Sequence, residues 1–372
     1  PAQIISNGVP HDGDASAVWL ADVSDAAALA PVQAMAATAG AAVVPVDGSD
    51  LLAHPEPGEA IRAHEDAPIR LIGEIPAEAD WELNLLASGH RLPGGGYLMF
   101  DGETPLRFIA YYGHPDSAGM GALGQQNGPE ATYEAMRPLL DKYDTGDAIV
   151  VPTFNPIATV AHNGGSTDRP DNVFESGGPR YVEFSTMHPP SRFTEYVEYA
   201  EQIDGYVTLD FQPGRNDFLY QVKHYEELLK RPNVGIALDP EWRLGPNEEH
   251  LQQIGSVPAA ELNEVINYVA DLVRDEGLPQ KLILLHQFRT SMITERDTLV
   301  DREEIALVIQ MDGEGQGGLS VKDDTWHAIT AGAEDAHWHW GWKNFFERDN
   351  PGPNSPKDTL SKDPQPVYIS YQ

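Results

Sequence analysis

The sequence contains no cysteine among its 372 residues. A disulfide, a thiolate metal ligand and a cysteine nucleophile all require that side chain, so the sequence excludes all three. The fold must therefore be held by packing and noncovalent contacts, and any chemistry must use oxygen or nitrogen groups.

Basic residues are also scarce, with 24 Lys and Arg against 58 Asp and Glu and a formal net charge of −34. Nucleic-acid binding depends on clustered Lys and Arg that contact phosphates, so we predict no nucleic-acid partner. The acidic excess has two further interpretations. It forms a solvated surface, or it produces a field that attracts cations or cationic substrates.

Long apolar runs are missing, since no stretch reaches the roughly 18 to 20 residues that a membrane-spanning helix needs. The alanine-rich stretch Asp25–Ala42 is interrupted by Asp, Pro and Gln. We therefore predict no transmembrane segment. The chain begins at Pro1, which suggests a mature form without its signal peptide, and we expect a secreted or envelope-associated protein.

Three catalytic and nucleotide-binding motifs are absent as well. The sequence has no Gly-x-Ser-x-Gly, no Gly-x-x-x-x-Gly-Lys-Ser/Thr, and no Gly-x-Gly-x-x-Gly after the first strand. Serine hydrolases, nucleotide hydrolases and simple dinucleotide-dependent enzymes therefore lose support, and we predict no cofactor.

What is present divides the chain in two at the glycine-rich stretch 93–96. Residues 1–95 alternate short strands and helices and predict a small α/β domain. Residues 105–372 predict a (β/α)₈ TIM barrel, because eight apolar strands alternate with helical stretches over that length. The predicted strands are 107–112, 148–154, 206–211, 234–238, 281–286, 305–311, 338–345 and 367–371. An open, doubly wound sheet is the alternative, and 313–329 shows no convincing long helix.

Barrel enzymes carry their reacting groups where the strands end, because the loops there converge on one mouth. Four acids follow these strands and are the predicted catalytic residues: Asp210, Asp239, Glu241 and Asp312, with Glu314 beside the last. Glycoside hydrolysis uses a protonated carboxyl as proton donor and a second carboxylate as nucleophile or base. We expect Glu241 to be the donor, because Trp242 offers an apolar wall that raises a carboxyl pKa. Asp210 and Asp239 are the candidates for the second role, and Asp312 is a reserve candidate that alternatively holds a sugar hydroxyl. A further alternative is that the acids cap helices or pair with Arg215 and Arg243.

Carbohydrate sites also need flat aromatic faces and hydrogen-bonding groups. The predicted substrate-binding residues lie at or near strand ends and are Tyr111, Tyr112, His114, Asn155, Gln212, Trp242, His286, Gln287, Trp340 and Trp342. For the aromatic residues, simple core packing is at least as good an explanation.

Two stretches carry potential metal ligands, but neither pattern predicts a metal site. His337–Trp342 alternates His and Trp, which as a strand places two histidines on one face, but a third zinc ligand is missing. Asp349-Asn350 is a loose oxygen cluster for calcium.

Two segments resemble known groups. Residues 36–46 (AATAGAAVVPV) are similar to one unit of the putative cell-wall-binding repeat type 2 of secreted bacterial proteins. Residues 209–215, 237–242 and 286–288 resemble a group of secreted actinobacterial proteins without a secure activity. The resemblance implies export, envelope location and a cell-wall glycan partner. Three functions therefore remain: a glycoside hydrolase, a non-catalytic glycan-binding wall protein, and a metal-dependent hydrolase.

Overall fold

The computed structural model describes residues 15–22, 26–46, 51–52, 56–64, 67–73, 79–100, 104–164 and 169–372. The chain divides into two compact units. One contains residues up to Arg91 together with Asp271–Pro279, and the other contains Leu92–Ala270 and Gln280–Gln372. In the described residues, no helix is both long enough and apolar enough to cross a bilayer.

The first unit contains a parallel three-stranded sheet of order β2-β1-β3. Its elements are β1 (Val18–Asp22), α1 (Ala26–Ala39), β2 (Ala42–Val46), α2 (Glu56–Ala63), β3 (Ile69–Ile72) and α3 (Asp80–Ser88). The alternating pattern of the sequence predicts all three strands. Its core packs α1 against the sheet through Leu29, Ala36, Trp19 and Val43. The assignment of this unit to wall binding stays a prediction.

The second unit is a closed barrel, as predicted. Its strands are β4 (Leu106–Gly113), β5 (Ile149–Ala161), β6 (Arg180–Val182), β7 (Ser185–Met187), β8 (Tyr206–Phe211), β9 (Val234–Leu238), β10 (Val257–Pro258), β11 (Lys281–Gln287), β12 (Ile293–Thr294), β13 (Ile305–Met311), β14 (His339–Asn344) and β15 (Tyr368–Tyr371). The barrel order is β4-β5-β8-β9-β11-β13-β14-β15, all parallel. It closes because β4 pairs with both β5 and β15, which excludes an open sheet.

Helices follow most of the barrel strands. They are α4 (Gly128–Tyr143), α5 (Thr194–Gln202), α6 (Phe218–Lys223), α7 (Glu226–Leu229), α8 (Ala259–Asp275), α9 (Leu319–Thr330) and α10 (Pro356–Leu360). The stretch 218–229 forms two short helices, α6 and α7. Asp217 caps the first by accepting from the backbone N–H of Tyr220 at 2.7 Å.

Helix α9 was missed because its buried face includes a charged residue. Trp326 and Ile329 are buried as expected for an inward face, but Lys322 is buried beside them. The Lys322 ammonium contacts the Asp349 carboxylate at 2.8 Å, with both side chains inaccessible to water. A sequence pattern counts that lysine as polar, so the apolar face of the helix looks interrupted.

The barrel interior changes character along its axis. Toward the amino ends of the strands it is filled by one apolar cluster, to which Phe108, Tyr206, Leu284 and Val308 belong. Side chains two residues apart point to the same side of a strand. Toward the carboxyl ends of the strands, the side chains that point into the barrel are polar or charged instead of apolar. The candidate site lies at these carboxyl ends.

Candidate functional site at the carboxyl ends of the barrel

A cavity of about 850 Å³ lies where the barrel strands end. Its walls include side chains at or just beyond the ends of five strands: Tyr112 (β4), Gln212 (β8), Asp239 (β9), Asp312 (β13) and Lys343 (β14). Glu241, Trp242 and Glu314 line it as well. Three of the four predicted catalytic acids therefore border one space, as the strand-end rule predicts.

The inward rows explain this convergence. On β8 the row Tyr206, Thr208 continues to Asp210, and on β11 the row Leu282, Leu284 continues to His286. Asp210 and His286 are fully buried, and neither is among the described residues that line the cavity. They lie behind the cavity wall instead.

Four charged side chains form a continuous chain across the top of the barrel. The Asp210 carboxylate lies 2.9 Å from Nε2 of His286, and Nδ1 of His286 lies 2.7 Å from the Asp312 carboxylate. The other Asp312 oxygen is 2.8 Å from the Lys343 ammonium. Asp312 therefore has a cationic partner on each of its oxygens.

These ion pairs determine the charges of the two central residues, His286 and Asp312. Burial favours neutral Asp312, but Lys343 and His286 outweigh burial and lower its pKa to about 2. Burial likewise favours neutral His286, but Asp312 and Asp210 raise its pKa to about 10. At neutral pH, Asp312 is a carboxylate and His286 an imidazolium.

The neighbouring acids Asp239 and Glu241 behave in the opposite way. They flank Pro240 in a single 3₁₀ turn, and Oδ1 of Asp239 accepts the backbone N–H of Glu241 at 3.2 Å. Burial, followed by repulsion from Asp312, raises the pKa of Glu241 to about 7. Burial raises the pKa of Asp239 well above its usual range, and nearby Asp210 and Glu241 add to the effect. The cavity thus combines carboxyl groups that hold a proton with a carboxylate that does not.

Among the described residues, none of the four predicted catalytic acids pairs with Arg215 or Arg243. Arg215 donates to the backbone carbonyl of Glu248, and Arg243 forms an ion pair with Glu261 at 2.9 Å. Asp210 and Asp312 instead contact His286, and Asp312 also contacts Lys343. Asp239 caps the 3₁₀ turn that carries Glu241.

Lys343 was not predicted, although a signal for it exists. The alternation of His and Trp in 337–342 continues one step further, which places Lys343 on the histidine side of β14 and away from Trp340 and Trp342. Its ammonium lies 3.6 Å from the centre of the Tyr112 ring. The ring and Asp312 together hold the lysine in the cavity wall.

The predicted substrate-binding residues differ in the face of the strand on which they lie: some face the cavity and others face the surrounding helices. Tyr112, Gln212 and Trp242 line the cavity. In contrast, Tyr111 contacts the Ala135 carbonyl of α4 through its hydroxyl, and Trp340 and Trp342 pack edge-on against Trp326 of α9. These three side chains lie on the helix side of the barrel, which agrees with the core-packing explanation.

The remaining predicted residues make polar contacts within the protein. Asn155 is buried and donates to the Thr208 carbonyl at 2.7 Å. Gln287 accepts from Arg296 at 2.7 Å, and His114 lies 3.0 Å from His188, nitrogen to nitrogen. Together with His286, these residues are not among the described residues that border the cavity.

In the two stretches with potential metal ligands, these side chains make other contacts. His339 lies against the ring of Phe100 with centroids 4.3 Å apart, and Asp349 is the buried partner of Lys322. Across the part of the chain that the structure describes, no three His, Asp or Glu side chains form a group suited to a metal ion.

No protein-family model matches this sequence, and no curated protein matches it. Among solved structures, the chain is similar to the cellulose synthase subunit Z of Clostridioides difficile. That match has a TM-score of 0.40 and 8% identity, over 72% of this chain and 91% of that chain. It is also similar to the GH99 endo-α-mannosidase of Bacteroides thetaiotaomicron, with a TM-score of 0.28 and 11% identity, over 73% and 84% of the two chains.

Proposed function

We propose that this protein is a glycoside hydrolase that acts on an envelope or extracellular polysaccharide. One observation carries the proposal: Glu241, whose pKa burial raises to about 7, and Asp312, a carboxylate in contact with Lys343 and His286, line the same cavity. Hydrolysis of a glycosidic bond needs both forms at once, one to give a proton and one to carry negative charge.

Glu241 would give its proton to the oxygen of the leaving sugar as the bond breaks. Its pKa of about 7 leaves it largely protonated at slightly acidic pH, yet able to release the proton easily. Asp239 would act as a positioning residue, because its carboxyl oxygen accepts the backbone N–H of Glu241. This contact fixes the turn that directs Glu241 into the cavity.

Asp312 would supply the negative charge that faces the positive charge developing on the anomeric carbon. Lys343 and His286 each occupy one of its oxygens, but a carboxylate offers about four lone-pair positions. Lone pairs therefore remain for the substrate or for an attacking water. The two cations hold the carboxylate in place, so little reorganisation accompanies the reaction.

The partner in this proposal is a glycan, and the expected location is outside the cell or at its envelope. The resemblance of residues 36–46 to a wall-binding repeat supports the location. Tyr112, Gln212 and Trp242 support the partner, because they add aromatic surface and hydrogen-bonding groups to the cavity.

The test is to incubate the purified protein with a panel of bacterial envelope and exopolysaccharide preparations and to measure new reducing ends. Glu241→Gln keeps the shape of the side chain but cannot donate the proton, so we expect cleavage to fall at least about a hundredfold. Glu264→Gln is the matched control, since Glu264 is exposed on α8 and is not among the described residues that line the cavity.

Cleavage that survives in Glu241→Gln would remove this residue from the mechanism. Glycan binding without cleavage by the unmodified protein would favour a non-catalytic wall-binding barrel. Cleavage abolished by a chelator and restored by a divalent metal would favour a metal-dependent hydrolase.

A further inference from the structure

The loop between β9 and β10 exposes an apolar side chain inside the cavity. Leu251 is 72% exposed, the highest value among the large hydrophobic residues of the described chain, and it lines the cavity beside Trp242 and Ile254. A leucine in water contributes no burial to folding, so packing does not explain its presence there.

The backbone at this residue is also unfavourable. Leu251 has φ of 63°, in the left-handed region where a Cβ atom crowds the following carbonyl oxygen. Glycine takes this conformation without that crowding, and leucine does not. The position therefore keeps a side chain that stabilises neither the local backbone nor the core, which is typical of residues retained for function.

The loop is joined directly to the turn that carries Glu241. The Gly255 N–H donates to the Glu241 carbonyl at 2.7 Å. A Cβ at Gly255 would lie within 2.6 Å of three carbonyl oxygens of residues 240–243, so this close approach requires glycine. On the same loop His250 stacks on Trp242, with ring centroids 4.8 Å apart and planes 26° apart. The apolar surface is thus fixed relative to Glu241.

We propose that Leu251 and Trp242 form a sugar-binding subsite next to Glu241, where they contact the apolar face of a pyranose ring. A pyranose presents C–H groups on its faces and hydroxyls around its edge, which suits an apolar surface within a cavity that acids, Lys343 and Gln212 also line. This inference rests on the proposed function in taking the ligand to be a glycan, but it does not require cleavage.

The experiment measures binding by calorimetry in the Glu241→Gln background, which removes turnover. The probes are soluble hexasaccharides of glucose, mannose, N-acetylglucosamine and a uronic acid, and the comparison is with Glu241→Gln/Leu251→Gly. We expect the affinity for the hexasaccharide that binds to fall about tenfold. The midpoint of thermal unfolding should stay the same or rise, because glycine relieves the left-handed backbone.

Glu295→Gly is the matched control. Glu295 also has a left-handed backbone, with φ of 55°, and its side chain is exposed away from the residues that line the cavity. This variant should leave glycan affinity unchanged.

The outcomes separate the two proposals. Unchanged affinity in the Leu251→Gly variant would overturn the subsite, while the glycosidase proposal would stand if the unmodified protein cleaves glycan. Weakened binding of a glycan that is never cleaved would support the subsite and overturn the glycosidase. Failure of every hexasaccharide to bind would overturn the subsite, while the glycosidase proposal would stand or fall with polysaccharide cleavage by the unmodified protein.

Discussion

Glu241→Gln should make the protein more stable at alkaline pH, in addition to its effect on cleavage. The site raises the pKa of Glu241 from 4.5 to about 7, mainly through burial and then through Asp312. At about 1.36 kcal/mol for each pKa unit, the folded state disfavours ionised Glu241 by about 3 kcal/mol. Glutamine has no ionised form, so the folded variant does not carry this destabilisation.

The direction in which stability changes with pH follows from the pKa of Glu241 in the unfolded and folded chains. Below pH 4.5, Glu241 is protonated in both the folded and the unfolded chain, so the wild type has the full stability. Between pH 4.5 and about 7 the unfolded chain releases the proton while the folded chain keeps it, and stability falls. Above about pH 7 the loss is complete, so Glu241→Gln should exceed the wild type by about 3 kcal/mol at pH 8.

The assay is urea unfolding of both proteins at pH 4.5, 6 and 8, with comparison of the free energies of unfolding at each pH. Glu264→Gln, on the exposed side of α8, controls for the substitution itself. A difference between Glu241→Gln and wild type that is the same at pH 4.5 and pH 8 would refute the reasoning. A wild type more stable than the variant at pH 8 would refute it as well.

Two predictions on activity follow from the same charges. In the wild type, kcat/KM should fall as pH rises through about 7, because the proton donor Glu241 is then lost, and a profile that keeps rising to pH 9 would contradict this. Lys343→Met should shift the whole profile to higher pH by about one unit, because Lys343 lowers the pKa of both Asp312 and Glu241. A lower rate with an unshifted profile would show instead that Lys343 acts only through packing.

The barrel could be predicted because its strands are simple. Stretches such as 234–238 and 305–311 are continuous apolar runs, as expected for parallel strands buried on both faces, and the structure places β9 and β13 at these positions. Helix α9 could not be predicted in the same way. Its buried Lys322 depends on Asp349, which lies 27 residues further along the chain.

The candidate site was predictable to the level of strand ends. That rule selects Asp239, Glu241 and Asp312, but it does not distinguish the two faces of a strand. It therefore places Tyr111 with Tyr112, although one contacts a helix and the other the cavity. The alternation within each strand could have separated them. The pKa differences between Glu241 and Asp312 could not be predicted, because they depend on burial and on partners from other strands.

The buried charges themselves argue for function over fold stability. Asp210, His286 and Lys343 are nearly inaccessible to water, and an ion moved out of water loses several kcal/mol that its partners recover only in part. Well-packed apolar residues in the same place would make the barrel at least as stable. The barrel interior at the amino ends of the strands is filled by such residues. A protein selected only for a stable barrel would gain nothing from this row of ion pairs. A protein that must keep Asp312 ionised beside a protonated Glu241 requires these ion pairs. Water in place of the cations would allow both acids to ionise.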